Sequence, residues 1–357
     1  MNLDLSETQR LLRDTVRAYL EAEVPYDRIR QLEKQAASDG ILWQAILQQG
    51  WLGLPFRETL GGGGGSLVDV GLLVEEFSRR AAIVPILEVM AVGRVLQDRG
   101  RDEVVRAILA GDAVPVPAVF EGGGGATAVS LEVRGGAIRG EKSFVDYGQF
   151  ATHHVVAAGS GRERGLYWVD ATAPGVDCEP LRSIGRTPVC NVRYQDVAAE
   201  LVADADALAE LVRIGRALAS VQCVGAMQQA LDMSVAYANV REQFGTTLST
   251  FQAVRHHCAN MAIRVTSARL LAYEALDSID RGIATDASVA RAKAAASRAA
   301  PEVTMLAHQI HGGNGVIEEN DLYFYTLRAK ESSLAWGSVD DCLDVVADQV
   351  HCESDWF

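Results

Sequence analysis

From Asp204 to its end the chain is unusually rich in alanine and reads as a succession of long helices. No other feature of the sequence constrains the fold as much. Leu208–Arg241 reads as one long helix, closed by Gly245. Thr250–Arg281 follows, closed by Gly282. Asp286–Gln309 is next, with Pro301 as an expected kink, and Ser338–Cys352 is last. Helices that are apolar on most faces belong inside a bundle or at an oligomer interface. The C-terminal part is therefore expected to be a four-helix bundle.

The first part, to about residue 112, also has helical periodicity. Ser6-x-x-Gln9 is a capping box, and Leu12, Val16, Tyr19 and Leu20 follow at helical spacing. Ile41–Gln49, Leu67–Arg80, Pro85–Arg99 and Asp102–Ala110 are further helical segments, while Gly61–Gly65 is a loop. The middle changes character. Short β-branched runs at Ala128–Arg134, Ala137–Gly140, His153–Ala158, Gly165–Val169 and Val189–Tyr194 are separated by glycine and proline turns. Strands at such spacing make a compact barrel or sandwich. The expected fold class is α+β: an N-terminal helical domain (1–112), a middle β domain (113–203) and a C-terminal helical bundle (204–357).

Charge and composition remove several function classes. A net charge of −14 argues against a nucleic-acid or anionic-membrane binder, since both are normally basic. No run approaches the roughly 20 apolar residues of a membrane span, and the N-terminus lacks a signal-peptide pattern. The six cysteines, Cys178, Cys190, Cys223, Cys258, Cys342 and Cys352, show no zinc-like spacing and read as reduced thiols. A cytoplasmic protein without a metal is expected. His256 and His257 are adjacent, and neighbouring helical residues face different ways, so they make no metal pair.

The glycine runs Gly61–Gly65 and Gly122–Gly125 invite a nucleotide-binding reading that their flanks do not support. No Gly-Lys-Ser/Thr follows either run, and the last position of each GxGxxG frame falls on Ser66 or Thr127. Both are read as flexible loops.

Two other motifs carry chemistry. One is Tyr237-Ala-Asn-Val-Arg241-Glu-Gln-Phe244-Gly245, continuing Thr-Thr-Leu-Ser-Thr-Phe251-Gln252. The other is Gln309-Ile-His-Gly312-Gly313-Asn-Gly315. Arginine presents a planar, permanent charge that suits a pyrophosphate. The glutamine amides can donate and accept, and glycines allow close backbone approach. Taken alone, the same residues equally describe a helix-terminal salt bridge and a plain glycine turn. Together with the helix–β–helix layout, they resemble the acyl-CoA dehydrogenase flavoprotein family along essentially the whole chain. The resemblance implies that Arg241, Phe244, Gln252, Gln309, Gly312 and Gly313 contact the ADP half of an FAD held mainly by a neighbouring subunit.

Two departures stand out against that resemblance. The family's Thr-Glu-Pro-Gly segment, with a serine soon after it, is matched by Phe120-Glu121-Gly122 and Ala126. Its aromatic-Ile-Thr segment is matched by Phe144-Val145-Asp146. An aspartate beside the electron-rich ring of a reduced flavin is unfavourable. The family reaction also needs a carboxylate base aligned with the acyl α-carbon. The two positions where the family carries it are Trp336 and Gly215 here, so no catalytic residue is assigned. Glu331 and Glu210 each lie five residues upstream, on different faces. Arg216 is either a pocket residue or a helix-surface arginine.

The resemblance therefore implies the base-lacking subunit of an α2β2 acyl-CoA dehydrogenase of the kind found in bacterial sterol side-chain catabolism. Its partners would be a homologous subunit carrying the glutamate, an acyl-CoA substrate and an electron-transfer flavoprotein. The alternatives are a homotetrameric dehydrogenase with an unrecognised carboxylate, and a non-catalytic scaffold or acyl-CoA-binding module.

Overall fold

The computed structural model of the chain describes residues 4–122, 129–159, 161 and 164–353. Helices α1 (Glu7–Glu23), α2 (Tyr26–Gln35), α3 (Gly40–Gln48), α4 (Leu67–Arg79), α5 (Ile86–Asp98) and α6 (Asp102–Ala110) come first. Eight strands follow: β1 (Pro115–Ala118), β2 (Glu132–Arg134), β3 (Ala137–Asp146), β4 (His153–Ala158), β5 (Gly165–Asp170), β6 (Val176–Arg182), β7 (Pro188–Ala198) and β8 (Glu200–Asp204). The C-terminal part holds α7 (Ala205–Val240), a short hairpin of β9 (Glu242–Gln243) and β10 (Thr246–Thr247), then α8 (Gln252–Asp280), α9 (Asp286–His311), α10 (Leu322–Leu334) and α11 (Val339–Glu353). The α+β order read from the sequence is the order observed.

The chain forms two compact units. One comprises residues 30–70 and 83–215. Its strands make two four-stranded sheets, ordered β1-β4-β5-β8 and β2-β3-β7-β6. Helix α5 is buried along nearly its whole length and packs on β1, whose four residues are all buried. The expected strand Ala128–Arg134 begins at Glu132, and Ala128 lies outside the described residues, as do Gly123–Gly125, Ala126 and Thr127. β1, β6 and β8 carry no signal in the sequence. All three are sheet edges, and β1 and β6 contain proline, which an edge tolerates because it need not donate to the ladder.

The Gly61–Gly65 loop has a packing role. The amides of Gly62, Gly63, Gly64 and Gly65 donate to the carbonyls of Arg57, Gly53, Phe56 and Leu54 at 2.8–3.1 Å. A Cβ on Gly62 would lie 2.3 Å from the Phe56 oxygen. These donors are already used within the loop, so they offer no cradle for a phosphate.

The other unit comprises residues 1–29, 71–82 and 216–357. The Ser6–Gln9 capping box starts α1 as expected, and a second box, Thr285–Ser288, starts α9. Helix α9 packs against α8, α10 and α11, and its alanines leave room for all three. It runs unbroken through Pro301. Partly buried ion pairs, each on a buried carboxylate, tie the helices together. Arg17 on α1 donates to Glu76 at 2.6 Å, and Arg269 on α8 donates to Glu75 at 2.7 Å. The Tyr273 hydroxyl donates to Glu75 at 2.9 Å. Helix α10 has no counterpart in the sequence reading: no side chain of its N-cap residue, Asp321, bonds its first turn.

Candidate functional site

Helix α7 stops at Val240, and the chain turns back at once through the β9–β10 hairpin. The two turn residues, Phe244 and Gly245, both have left-handed backbone, φ +55° and +78°. A two-residue hairpin turn demands that geometry, and glycine accepts it freely whereas phenylalanine does not. Phe244 is thereby thrust outward, 94% exposed, its ring edge-on to that of Phe251 with centroids 6.1 Å apart. The Arg241 backbone is tied down. Its amide donates to the Tyr237 carbonyl at 2.8 Å, and its own carbonyl accepts from Leu248 at 2.9 Å. Its guanidinium is exposed and has no partner among the described residues, so the salt-bridge alternative is not what forms.

At the end of α9, Gln309 is exposed with no hydrogen-bond partner among the described residues. Gly312 takes φ +58°, and nothing lies within 4 Å of where a Cβ would stand on Gly312 or Gly313. The two motif ends meet through a contact that the sequence reading missed. The His311 ring stacks on Tyr237, centroids 4.5 Å apart and planes 21° from parallel. Both residues lie inside the motif stretches, and that placement was the available signal. Gln252 starts α8, also exposed. A free guanidinium, free amides and open glycine backbone form a donor set suited to a phosphate-bearing ligand.

The second region of interest is the turn after α10. Trp336 is buried and left-handed at φ +60°, followed by Gly337 at +116°. Arg216 is buried, not on a surface, and its Nε donates to the Trp336 carbonyl at 3.1 Å. Lys293, fully buried, donates to Ser297 Oγ at 2.8 Å, Ser333 O at 2.9 Å and Gly337 O at 3.3 Å. Burial pushes its pKa below the usual lysine value. The signal for Lys293 was one cation in a run of alanines. Gly215 offers no side chain, and Glu210 is committed to Arg99 at 3.0 Å.

In the β unit, Glu121 is bound on two sides. Lys142 Nζ, itself fully buried, donates to it at 2.5 Å, and the Ser130 amide donates at 2.9 Å. These bonds outweigh partial burial and hold the carboxyl below its usual pKa. Phe144 is exposed in left-handed backbone at φ +54°.

Comparison with known proteins decides the family. The description "Acyl-CoA dehydrogenase, N-terminal domain" matches residues 6–113, and "Acyl-CoA dehydrogenase, C-terminal domain" matches residues 205–351. The chain belongs to the acyl-CoA dehydrogenase family. Among its relatives, the acyl-CoA dehydrogenase IpdE2 of Mycolicibacterium smegmatis is 29% identical, over 93% of this chain and 96% of that one. Among solved structures, a Tcur3481–Tcur3483 steroid ACAD variant superposes with a TM-score of 0.91 at 27% identity, covering 98% of this chain and 99% of the other. The ChsE4–ChsE5 complex from Mycobacterium tuberculosis gives a TM-score of 0.90 at 25% identity, with the same coverage. Among the described residues, no helix is long and apolar enough to cross a membrane.

Proposed function

We propose that this chain is one subunit of an FAD-dependent acyl-CoA dehydrogenase, working in an α2β2 complex in which a homologous partner supplies the carboxylate base. FAD, when bound, would supply the hydride acceptor for the acyl β-carbon. This chain's part is binding. Arg241, Gln309, Gly312 and Gly313 would hold the pyrophosphate and adenosine end of a dinucleotide seated mainly in the partner, with Phe244 and Gln252 flanking it. The residues fit that group, since their polar atoms are unpaired and the glycine backbone is open. The observation that carries the reading is an asymmetry. The residues proposed to bind the dinucleotide are exposed, whereas Trp336 and Gly215 stand where the resemblance puts the base, and neither can take a proton from carbon.

A bulky acyl-CoA of the steroid side-chain type is the proposed substrate, supported by the likeness to a steroid ACAD and to a two-component complex. An electron-transfer flavoprotein is the proposed electron acceptor, and the cytoplasm the proposed location. The three-part division at residues 112 and 203 is proposed on the same grounds. The test is to purify the chain alone and together with a homologous subunit that carries the glutamate. The lone chain should show no flavin absorbance and no turnover, and the pair should show both. Stoichiometric FAD with acyl-CoA oxidation by the lone chain overturns the reading.

A further inference from the structure

Strands β6 and β7 bring two cysteines to one face of their sheet. Cys178 pairs with Val192 and Pro180 with Cys190, so the two thiols are diagonal neighbours. Residues two apart on a strand share a face, and diagonal side chains on it come within reach of one another. Gly148, in the turn after β3, lies against both sulfurs. Cys178 Sγ is 3.9 Å from its carbonyl oxygen, and a Cβ on Gly148 would stand 2.6 Å from Cys190 Sγ. Both thiols are free.

Their surroundings make the two thiols unequal. Cys190 is fully buried, whereas Cys178 is only partly so. The Cys190 thiol, as hydrogen-bond donor, holds Cys178 below the usual thiol pKa and outweighs burial, with the His154 ring adding to the effect. The same bond, together with burial, pushes Cys190 up. His154, on β4 of the other sheet, is itself fixed. Its Nε2 donates to the Gly148 carbonyl at 2.9 Å, and its Nδ1 accepts from the Tyr194 hydroxyl at 3.1 Å. The thiolate is the nucleophilic form of cysteine. Cys178 is thus placed to attack and Cys190 to follow. A disulfide needs Cα atoms within roughly 7 Å, and diagonal neighbours lie about 7–8 Å apart, so bridging requires a small shift of β6 toward β7. Strand β6 can make it. It is a sheet edge, and Pro180, opposite Cys190, has no amide to give to the ladder.

We infer that Cys178 and Cys190 form a peroxide-reactive dithiol site, in which Cys178 attacks a hydroperoxide and Cys190 resolves the product to a disulfide that fastens the β6 edge to β7. In the first step the Cys178 sulfur bonds to one peroxide oxygen as the O–O bond breaks. The sulfur becomes a sulfenic acid, and the other oxygen takes a proton from solvent and leaves as water or an alcohol. In the second step the Cys190 sulfur displaces the hydroxyl, the S–S bond forms, and the Cys190 proton leaves with that hydroxyl as water. The two thiols lose two electrons and the hydroperoxide gains them. A dithiol reductant reverses the bond by exchange.

The test treats the purified full chain with hydrogen peroxide, caps the remaining thiols with a maleimide and maps tryptic peptides without reduction. Cleavage after Arg182 and Arg186 separates the two cysteines, so the disulfide appears as Gly165–Arg182 joined to Thr187–Arg193. Dithiothreitol before capping should return both peptides singly. Cys258 is a control within the same chain. It is also partly exposed, but burial raises its pKa, so peroxide should consume it about tenfold more slowly than Cys178. Cys190→Ala removes the second step, and dimedone should then label Cys178 as the trapped sulfenic acid. Absence of the joined peptide from the native chain, equal consumption of Cys178 and Cys258, or no dimedone label on Cys178 in folded Cys190→Ala overturns the inference. If that variant does not fold, the two measurements on the native chain decide.

Discussion

Arg216 Nε donates to the carbonyl oxygen of Trp336 at 3.1 Å, fastening a residue of α7 to the turn that follows α10. Lys293 holds the next carbonyl, that of Gly337, and that of Ser333 before it. Two buried cations thus grip a turn whose central residue is a tryptophan in left-handed backbone. That conformation costs roughly 1–2 kcal/mol in a residue bearing a Cβ, so it persists only where its surroundings enforce it.

Lys293→Met tests this clamp. The methionine matches the lysine stem in size but leaves the Ser333 and Gly337 carbonyls without their donor. Unfolding free energy in urea should fall by about 1–3 kcal/mol. An unchanged urea midpoint means the cation does not hold the turn.

Glu88 on α5 gives a pH signature. Burial raises its carboxyl from 4.5 to about 7. The folded state thus binds a proton that the unfolded state has already released. Its contribution is fully present below about 4.5 and is lost as pH rises through about 7. Glu88→Gln should remove that slope and raise stability at pH 8 by roughly 1–3 kcal/mol over the native chain. Denaturant melts of both proteins at pH 5 and pH 8 check it. Parallel pH dependence in the two refutes the assignment.

Phe244 should separate fold from function. Phe244→Gly relieves the left-handed strain and removes a side chain that is almost wholly exposed in the isolated chain. The lone chain should be as stable as before, or more stable by up to about 1 kcal/mol. The two-subunit complex should nevertheless retain less FAD after gel filtration. Full retention there would show that the exposed ring has no part in the flavin site.

Arg241→Gln removes a charge that makes no ion pair in the chain. Folding should be unaffected, within about 0.5 kcal/mol. FAD affinity of the complex should drop about tenfold or more, as for a charge-assisted hydrogen bond. Equal FAD affinity in variant and native complexes counts against a pyrophosphate role.

Glu331→Gln addresses the homotetramer alternative directly. If the base belongs to the partner subunit, acyl-CoA turnover by the complex should be unchanged in this variant. Loss of turnover with FAD still bound would fit the rival with an unrecognised carboxylate.

The sequence by itself determined the helical, β, helical order of the parts, the starts of several helices and the position of both candidate motifs. These are local properties. Ser6 and Gln9 cap each other within one turn, and Arg-x-x-Phe-Gly and Gln-x-x-Gly-Gly-x-Gly are short, contiguous strings. Tertiary structure alone decided what had no local cause. β1, β6 and β8 become strands because a neighbouring strand offers them a ladder. Their own residues, prolines and charges included, carry no β pattern. Arg216 is buried because the Trp336 carbonyl meets it from 120 residues away. His311 gains its stacking partner only because the fold brings Tyr237 of another helix against the ring. Contacts between residues far apart in sequence depend on how the whole chain packs, and a one-dimensional pattern does not encode them residue by residue.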